Sequence, residues 1–494
     1  MGDKLRFVAF LLAYMPGMAA SAVARKVRAL IHSWTYKGPT DSPKIVLVVG
    51  GSFAGYQLMA RLTESLPTGW QAVLLEKNEH YNWSFALPRF SVVPGHEKTA
   101  FMAYAKLLAK AAQRGIARVV QGEAVSVVSA TDDNNNHKEK HVLLASGETV
   151  PYDILVVATG SAQRPPAKLL GAAHKATACA ELRTLQDRIR RARTVAVVGG
   201  GAVGVELATD IKTFAAVVAE RHRAQRGKDG KDGDKDDSVA DKEVTLVHSR
   251  LQLLNRFGPR LHEHVASVLA KQGVLVELGQ RVTIEYKDND NNDNNDDNAP
   301  AGAGRPGTLH FPDGRSVDYD CILLCTGQTP NSGLLKEAFA GALTASGEIR
   351  VTSGLQVVVA GDEDANDNDN DNDKNTKTGG SETGTALTDM YAFGDVAATG
   401  GPKMARAGYF QADIVADNIV ASIAGKPAKH RYVPKVVEPS IKLTLGKDAT
   451  VMYMDMNEEQ TDSIKVPLKG EAEDMHVEQS WSYLGAKYSD DDEE

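Results

Sequence analysis

Two glycine-rich turns constrain this chain more than any other feature: Gly50-Gly51-Ser52-Phe53-Ala54-Gly55 and Gly199-Gly200-Gly201-Ala202-Val203-Gly204. Each follows a run of Val and opens a helical pattern. A strand that delivers the chain into such a turn makes a phosphate cradle. Glycine lets the backbone approach the ligand, and the helix dipole favours the pyrophosphate charge. One match is weak evidence, because many α/β proteins carry it. Two in one chain suggest two dinucleotides, the layout of a flavoprotein that takes hydride from a nicotinamide.

The turns open a larger internal repeat. After the first come a helix and the strand Gln71–Leu75 ending at Glu76. Ala124–Ser129 and His141–Ala145 alternate like hairpin strands, and Tyr152-Asp153 leads into Ile154–Gly160. The second unit repeats the order with Val244–Val247, Arg281–Ile284, Thr308–Phe311 and, after Tyr319-Asp320, Cys321–Gly327. Continuous apolar runs read as buried parallel strands and alternating runs as antiparallel ones. The predicted fold class is α/β, with two Rossmann-like doubly wound domains. Each carries a small antiparallel sheet insertion, and a small C-terminal module follows.

Four tracts rich in Asn, Asp, Lys and Gly interrupt this grammar: Thr131–Lys140, Arg226–Glu243, Lys287–Gly307 and Gly361–Leu387. They lack the apolar residues to form a core and are expected to be solvated loops. The run near Asp367 lacks the Gly and terminal Glu of a calcium loop. These tracts and the acidic tail hold much of the acid behind the net charge of −8, so the remaining body is mildly basic. That suits phosphate-bearing cofactors or an anionic membrane surface. No nucleic-acid motif is present, and nucleic acid is not an expected partner.

Three cysteines, Cys179, Cys321 and Cys325, match neither a disulfide framework nor a zinc pattern. No pair sits where a flavin disulfide reductase keeps its redox dithiol, which disfavours that subclass. The N-terminal segment is basic, and Phe7 to Ala24 is uncharged at the lower edge of membrane-spanning length. Pro16 and Gly17 interrupt it. A cleaved targeting peptide, a membrane-surface anchor and a short spanning helix all stay open. Arg6 occupies the position where a myristoylation signal wants Ser or Thr.

Glu76 ends the second strand, where a dinucleotide site places a carboxylate to accept hydrogen bonds from the adenosine ribose. Ser52 replaces the middle glycine of the first turn and softens that match. The second turn keeps Gly199, Gly201 and Gly204, but its following strand ends in His248-Ser249-Arg250 with no acid. Losing the acid removes repulsion of a ribose 2′-phosphate, and Arg250 could pair with it, favouring NADPH or tolerance of both coenzymes. Glu206, in the first turn of the second helix, either offsets the helix dipole or stands between nicotinamide and flavin, positioning a proton or a lysine. The strand Met390–Phe393 ends in Gly394-Asp395, which offers an acid to the flavin ribityl and pyrophosphate side.

In this order, with the Thr-Gly strand ends, the chain resembles the FAD-dependent pyridine nucleotide oxidoreductases. Within them it is similar to the apoptosis-inducing-factor-like group, the mitochondrion-associated inducer of death and ferroptosis suppressor branch. The branch likeness lies in Phe85–Arg89, Val244–Arg250, Pro402–Ala405, Lys442–Lys447 and Ser480-Trp481. The resemblance implies FAD held by the first turn (Gly50, Gly51, Ser52, Phe53, Ala54, Gly55) with Glu76, Arg89, Thr159, Gly160, Gly394 and Asp395. It implies NAD(P)H held by Gly199, Gly201, Gly204 and Arg250, and Glu206 and Lys403 together at the flavin face. No metal is expected. The implied organisation is a targeting or membrane-associating segment (1–43), an FAD-binding domain in two parts (44–165 and 329–427), an NAD(P)H-binding domain (166–328), and a C-terminal module with an acidic tail (428–494). The acceptor is expected to be quinone-like and the location membrane-associated or mitochondrial, with a cytoplasmic face possible. Rival readings are a type II NADH dehydrogenase and a redox-sensing NAD(P)H-binding interaction protein. The sequence carries no signal for oligomeric state.

Overall fold

The computed structural model describes residues 2–128, 140–170, 173–228, 239–287, 303–361 and 384–488. Most of each polar tract and the acidic tail lie outside these residues. Their described edges are more ordered than composition suggests. The helix Ala202–Lys228 runs into the second tract, and the strands Glu243–His248, Arg305–His310 and Thr385–Ala392 begin inside tract boundaries. Backbone pairing with neighbouring strands decides the strand ends, and composition does not report it.

Two six-stranded sheets form the body. In space the first runs Gln356–Val359, Thr385–Ala392, Ile154–Val157, Lys44–Val49, Trp70–Glu76, Ala117–Gln121. Its strands are parallel except for the antiparallel edge pair Gln356–Val359 and Thr385–Ala392. Val46 to Val49 and Ala72 to Leu75 are buried, as a sheet covered by helices on both faces requires. The second sheet runs Leu275–Leu278, Glu243–His248, Thr194–Val198, Ser316–Leu324, Arg305–His310, Thr283–Tyr286.

The two units differ in their antiparallel crossovers. In the first, Ala124–Val128, His141–Leu144 and Thr149–Pro151 make a separate three-stranded sheet, as expected. In the second, the described residues form no separate sheet. The long strand Ser316–Leu324 pairs parallel with Thr194–Val198 through its last residues and antiparallel with Arg305–His310 through its first. In the first unit the strand is interrupted at Asp153, whose carboxylate accepts the Ile45 N–H at 2.7 Å. At the matching Asp320 the strand stays continuous while its carboxylate takes the Arg193 and Thr194 N–H groups at 2.9 and 2.8 Å.

A three-stranded antiparallel sheet, Ile441–Thr444, Ala449–Asp455 and Ser463–Lys469, and the helix Val477–Tyr483 complete the body. Leu443, Leu445, Val451 and Tyr453 enter the core of the second unit, whereas Trp481 enters that of the first. The C-terminal region therefore spans both halves. The N-terminal segment forms one helix, Asp3–Thr35, that continues through Pro16 and Gly17 where the sequence suggested an interruption. A helical proline removes one hydrogen bond, and the turns on either side keep theirs.

Candidate functional site

Both glycine turns open onto one cleft of about 1270 Å³ whose walls come from both sheets and the C-terminal region. A pocket for one drug-sized ligand is typically ~300–1,000 Å³. This one has room for two extended ligands meeting end to end.

At Gly50 and Gly55 the first turn admits no side chain. A Cβ on Gly55 would lie 1.8 Å from the Gly50 carbonyl oxygen, and one on Gly50, whose φ is +99°, would lie 2.6 Å from that of Ala158. Ser52, Phe53 and Ala54 line the cleft in front of this turn, with Thr159 and Gly160 beside them. Thr159 and Asn331 hold each other, the Thr159 hydroxyl donating to the Asn331 carbonyl at 2.7 Å and the Asn331 amide returning a bond at 3.0 Å. Glu76 accepts the Gly51 N–H at 2.6 Å and the Asn78 N–H at 3.1 Å. Across the cleft Gly394 donates its N–H to Gln411 at 2.8 Å, and Asp395 faces inward. Lys168 belongs to no motif in the sequence. It lines the cleft, its ammonium bonds the Ser161 carbonyl, and it feels Asp395 and Glu76, while burial lowers its pKa. A close-approach backbone turn, a cation and two acids fit the pyrophosphate and ribose of a dinucleotide.

The second turn is built alike and furnished differently. A Cβ on Gly204 would lie 1.8 Å from the Gly199 carbonyl oxygen, whereas Gly201 has nothing within 4 Å and faces open cleft. The Gly200 N–H donates to His248 Nδ1 at 3.1 Å, the position that Glu76 takes in the first unit. Accepting that bond requires an unprotonated Nδ1, and burial lowers the His248 imidazole pKa, opposed by a backbone hydrogen bond at Gln252 and helped by repulsion from Arg250. Its buried Nε2 has no partner among the described residues. Arg164, Arg256 and Arg281 line this part of the cleft. Arg281 reaches it because Gly279 and Gln280 donate their N–H groups to the carbonyls of Arg250 and His248, folding that loop back onto the strand end. The expected strand from Arg281 begins only at Thr283.

Glu206 lines the cleft, and its Oε1 accepts the N–H and the hydroxyl of Thr444, both at 3.1 Å. Burial raises its pKa to about 7, and neighbouring Asp210 adds to the rise.

Three expectations come out differently. Arg89 does not reach the cleft. It is buried, donates to Asp210 at 2.6 Å, and reaches the carbonyls of Ala472 and Gly446. A guanidinium there ties the first unit to the second unit's helix and to the C-terminal region, because a buried Asp210 demands a cation. Arg250 is exposed beyond the cleft lining. Lys403 lines the cleft but pairs with Glu348 and the Ala397 carbonyl, not with Glu206. The cysteines are free, and burial pushes the thiols of Cys321 and Cys325 up to about 12. Among the described residues no cluster suited to a metal exists.

Two Rossmann cradles facing one cleft, closed by a Gly-Asp turn, define the class of two-dinucleotide flavoprotein oxidoreductases. The chain belongs to the pyridine nucleotide-disulphide oxidoreductase family, whose model matches residues 44–361. It is 30% identical to Fe-regulated protein 8 of Mycosarcoma maydis over 83% of this chain and 89% of that protein. It is 27% identical to the Homo sapiens ferroptosis suppressor protein 1 over 82% and 86% of the two chains. In fold it is similar to the sulfide:quinone oxidoreductase of Aquifex aeolicus, with a TM-score of 0.57 at 15% identity over 89% of this chain and 90% of that one. The chain is an apoptosis-inducing-factor-like oxidoreductase using FAD and NAD(P)H.

Proposed function

We propose that this chain passes electrons from NAD(P)H, through FAD, to a quinone-like small acceptor at a membrane surface. The observation that carries this reading is the single cleft shared by both cradles. The bound flavin supplies two-electron transfer between a hydride donor and an acceptor. The chain's residues bind, orient and manage protons. Gly50 to Gly55, Glu76, Thr159, Gly160, Lys168, Gly394 and Asp395 would hold FAD, and Gly199, Gly201 and Gly204 would hold NAD(P)H. His248 keeps the hydrogen bond to the turn without bringing a negative charge. With Arg281 in place of Arg250 as a cleft-facing cation beside the strand end, this arrangement favours a ribose 2′-phosphate, and so NADPH.

Reduction of a quinone to a quinol consumes the hydride and one further proton. Glu206 holds a proton near neutrality at the cleft wall and would yield it to the acceptor. The aromatic cluster Phe53, Phe85 and Trp83, in which the central Phe85 ring lies 6.1 Å from that of Phe53 and 5.5 Å from that of Trp83, offers a planar acceptor an apolar face. The test is anaerobic reduction of FAD-reconstituted protein with NADPH and with NADH, followed by reoxidation with a quinone panel. Bleaching followed by recovery with quinone supports the reading, and absence of a flavin spectrum ends it.

A further inference from the structure

We propose that the helix Asp3–Thr35 lies flat in one leaflet of a lipid bilayer and sets the rim of the cleft against that leaflet. The first half stands on the helix alone; the second rests on the acceptor reading above. An ordinary surface helix turns its apolar stripe inward and its charges outward. This one is largely reversed. Leu5, Leu12, Met15, Val23, Val27, Leu30 and Trp34 follow helical spacing, and all seven stand 51–76% exposed. Lys4 and Lys26, also exposed, flank the stripe and suit anionic headgroups.

The opposite face holds the body. Asp3 pairs with Arg260 at 2.8 Å and Arg6 with Asp462 at 2.6 Å, while Phe7 and Phe10 pack against Met454, Ile464 and Val466. Further along, Arg25 reaches Glu64 at 4.0 Å and Arg28 reaches Asp417 at 3.8 Å, and His32 Nε2 bonds the Leu66 carbonyl at 2.7 Å. A helix of 33 residues is ~50 Å long, more than the ~30 Å hydrocarbon core. Both of its ends are tied to one body, so both stand on one side of the bilayer. An interfacial helix of this kind buries its apolar face at the boundary of headgroups and acyl chains.

The helix also passes the cleft. It packs on the sheet whose strand Ile441–Thr444 supplies cleft wall, and Arg25 donates to Tyr409 on the helix Ala405–Ile423 at 3.4 Å. Tyr14, midway along, stands near Arg406 and Glu438. Arg406 lines the cleft and donates to the Val437 and Ser440 carbonyls at 2.9 and 3.0 Å. A lipid-dissolved acceptor would thus meet the cleft from the leaflet side.

The test uses the full chain reconstituted with FAD and vesicles of phosphatidylcholine containing a minor share of phosphatidylserine. Spin labels at Leu12→Cys, Val23→Cys and Leu30→Cys, read for immersion depth, are expected at one shallow depth. A maximum at Val23 would mark a spanning helix and overturn the proposal, as would failure to float with the vesicles. A soluble dimer formed through the same face, with no flotation, would make a second copy the occupant and overturn it too. The variant Leu12→Glu/Leu30→Glu is expected to lose flotation and its rate with a long-chain quinone held in the bilayer, while keeping its rate with a water-soluble short-chain quinone. Unchanged reduction of the bilayer quinone would overturn the rim placement. If the parent chain floats at uniform depth but reduces neither quinone, the acceptor reading fails and the helix placement stands.

Discussion

The two cradles share a backbone and differ in what reaches them from elsewhere. In each, the second glycine donates its N–H to the side chain at the end of the next strand: Gly51 to Glu76 at 2.6 Å, Gly200 to His248 at 3.1 Å. The Tyr104 hydroxyl further closes the back of the first turn by donating to the Gly51 carbonyl at 2.8 Å. The second turn instead opens at Gly201 toward a wall that carries Arg281. The same hydrogen bond can therefore be kept while the charge beside it changes from a carboxylate to a neutral imidazole. Glycines define a dinucleotide cradle, and strand-end and loop residues define which dinucleotide it favours.

The largest expected effect separates the two directly. Gly204→Ala forces a Cβ into the Gly199 carbonyl. This variant should keep its flavin spectrum and lose reduction by either coenzyme, read by anaerobic titration. Loss of flavin as well would show that the cradles are not independent. Next comes the link between the halves. Arg89→Met leaves Asp210 buried and uncompensated, and should lower stability by about 3–5 kcal/mol in thermal or denaturant unfolding. Restoring neutrality with Arg89→Met/Asp210→Leu should recover most of that loss.

The comparison is sharpened by making the second cradle resemble the first. His248→Glu returns a carboxylate to the strand end and should cost NADPH about 1.5–3 kcal/mol relative to NADH, measured as the ratio of kcat/KM values. Arg281→Ala should shift the ratio the same way, and Arg250→Ala should leave it near the parent value. The smallest effect is electrostatic. The Glu206 pKa is raised from 4.5 to about 7, so the folded state binds more protons there than the unfolded state does. Stability contributed at this site therefore falls as pH rises from about 4.5 to about 7. Glu206→Gln should flatten that slope in pH-dependent unfolding.

Much of this architecture is legible in the sequence, since buried parallel strands and glycine turns are local signals. The runs at Val46 and Val195, both turns, the Gly394-Asp395 strand end and the placement of Glu206 on the cleft wall all follow from neighbours in the chain. What stays hidden depends on partners far away in sequence. Arg89 reads as a cofactor ligand until Asp210 is brought to it from the other unit. Arg250 reads as the coenzyme cation until the loop at Gln280 folds onto His248 and places Arg281 in the cleft. Lys403 follows the flavin motif, but Glu348 claims it. Lys168 carries no motif at all, and only burial beside Asp395 and Glu76 marks it.

The most direct test of the central claim is a stepwise anaerobic titration of the FAD-reconstituted 494-residue chain with NADPH. Two cradles meeting in one cleft predict that one equivalent of NADPH bleaches one bound flavin. NADH should bleach it less readily, and the loss of bleaching in Gly204→Ala should leave the oxidised flavin spectrum intact. A chain that retains no flavin, or a bound flavin that NADPH does not bleach, would contradict the account.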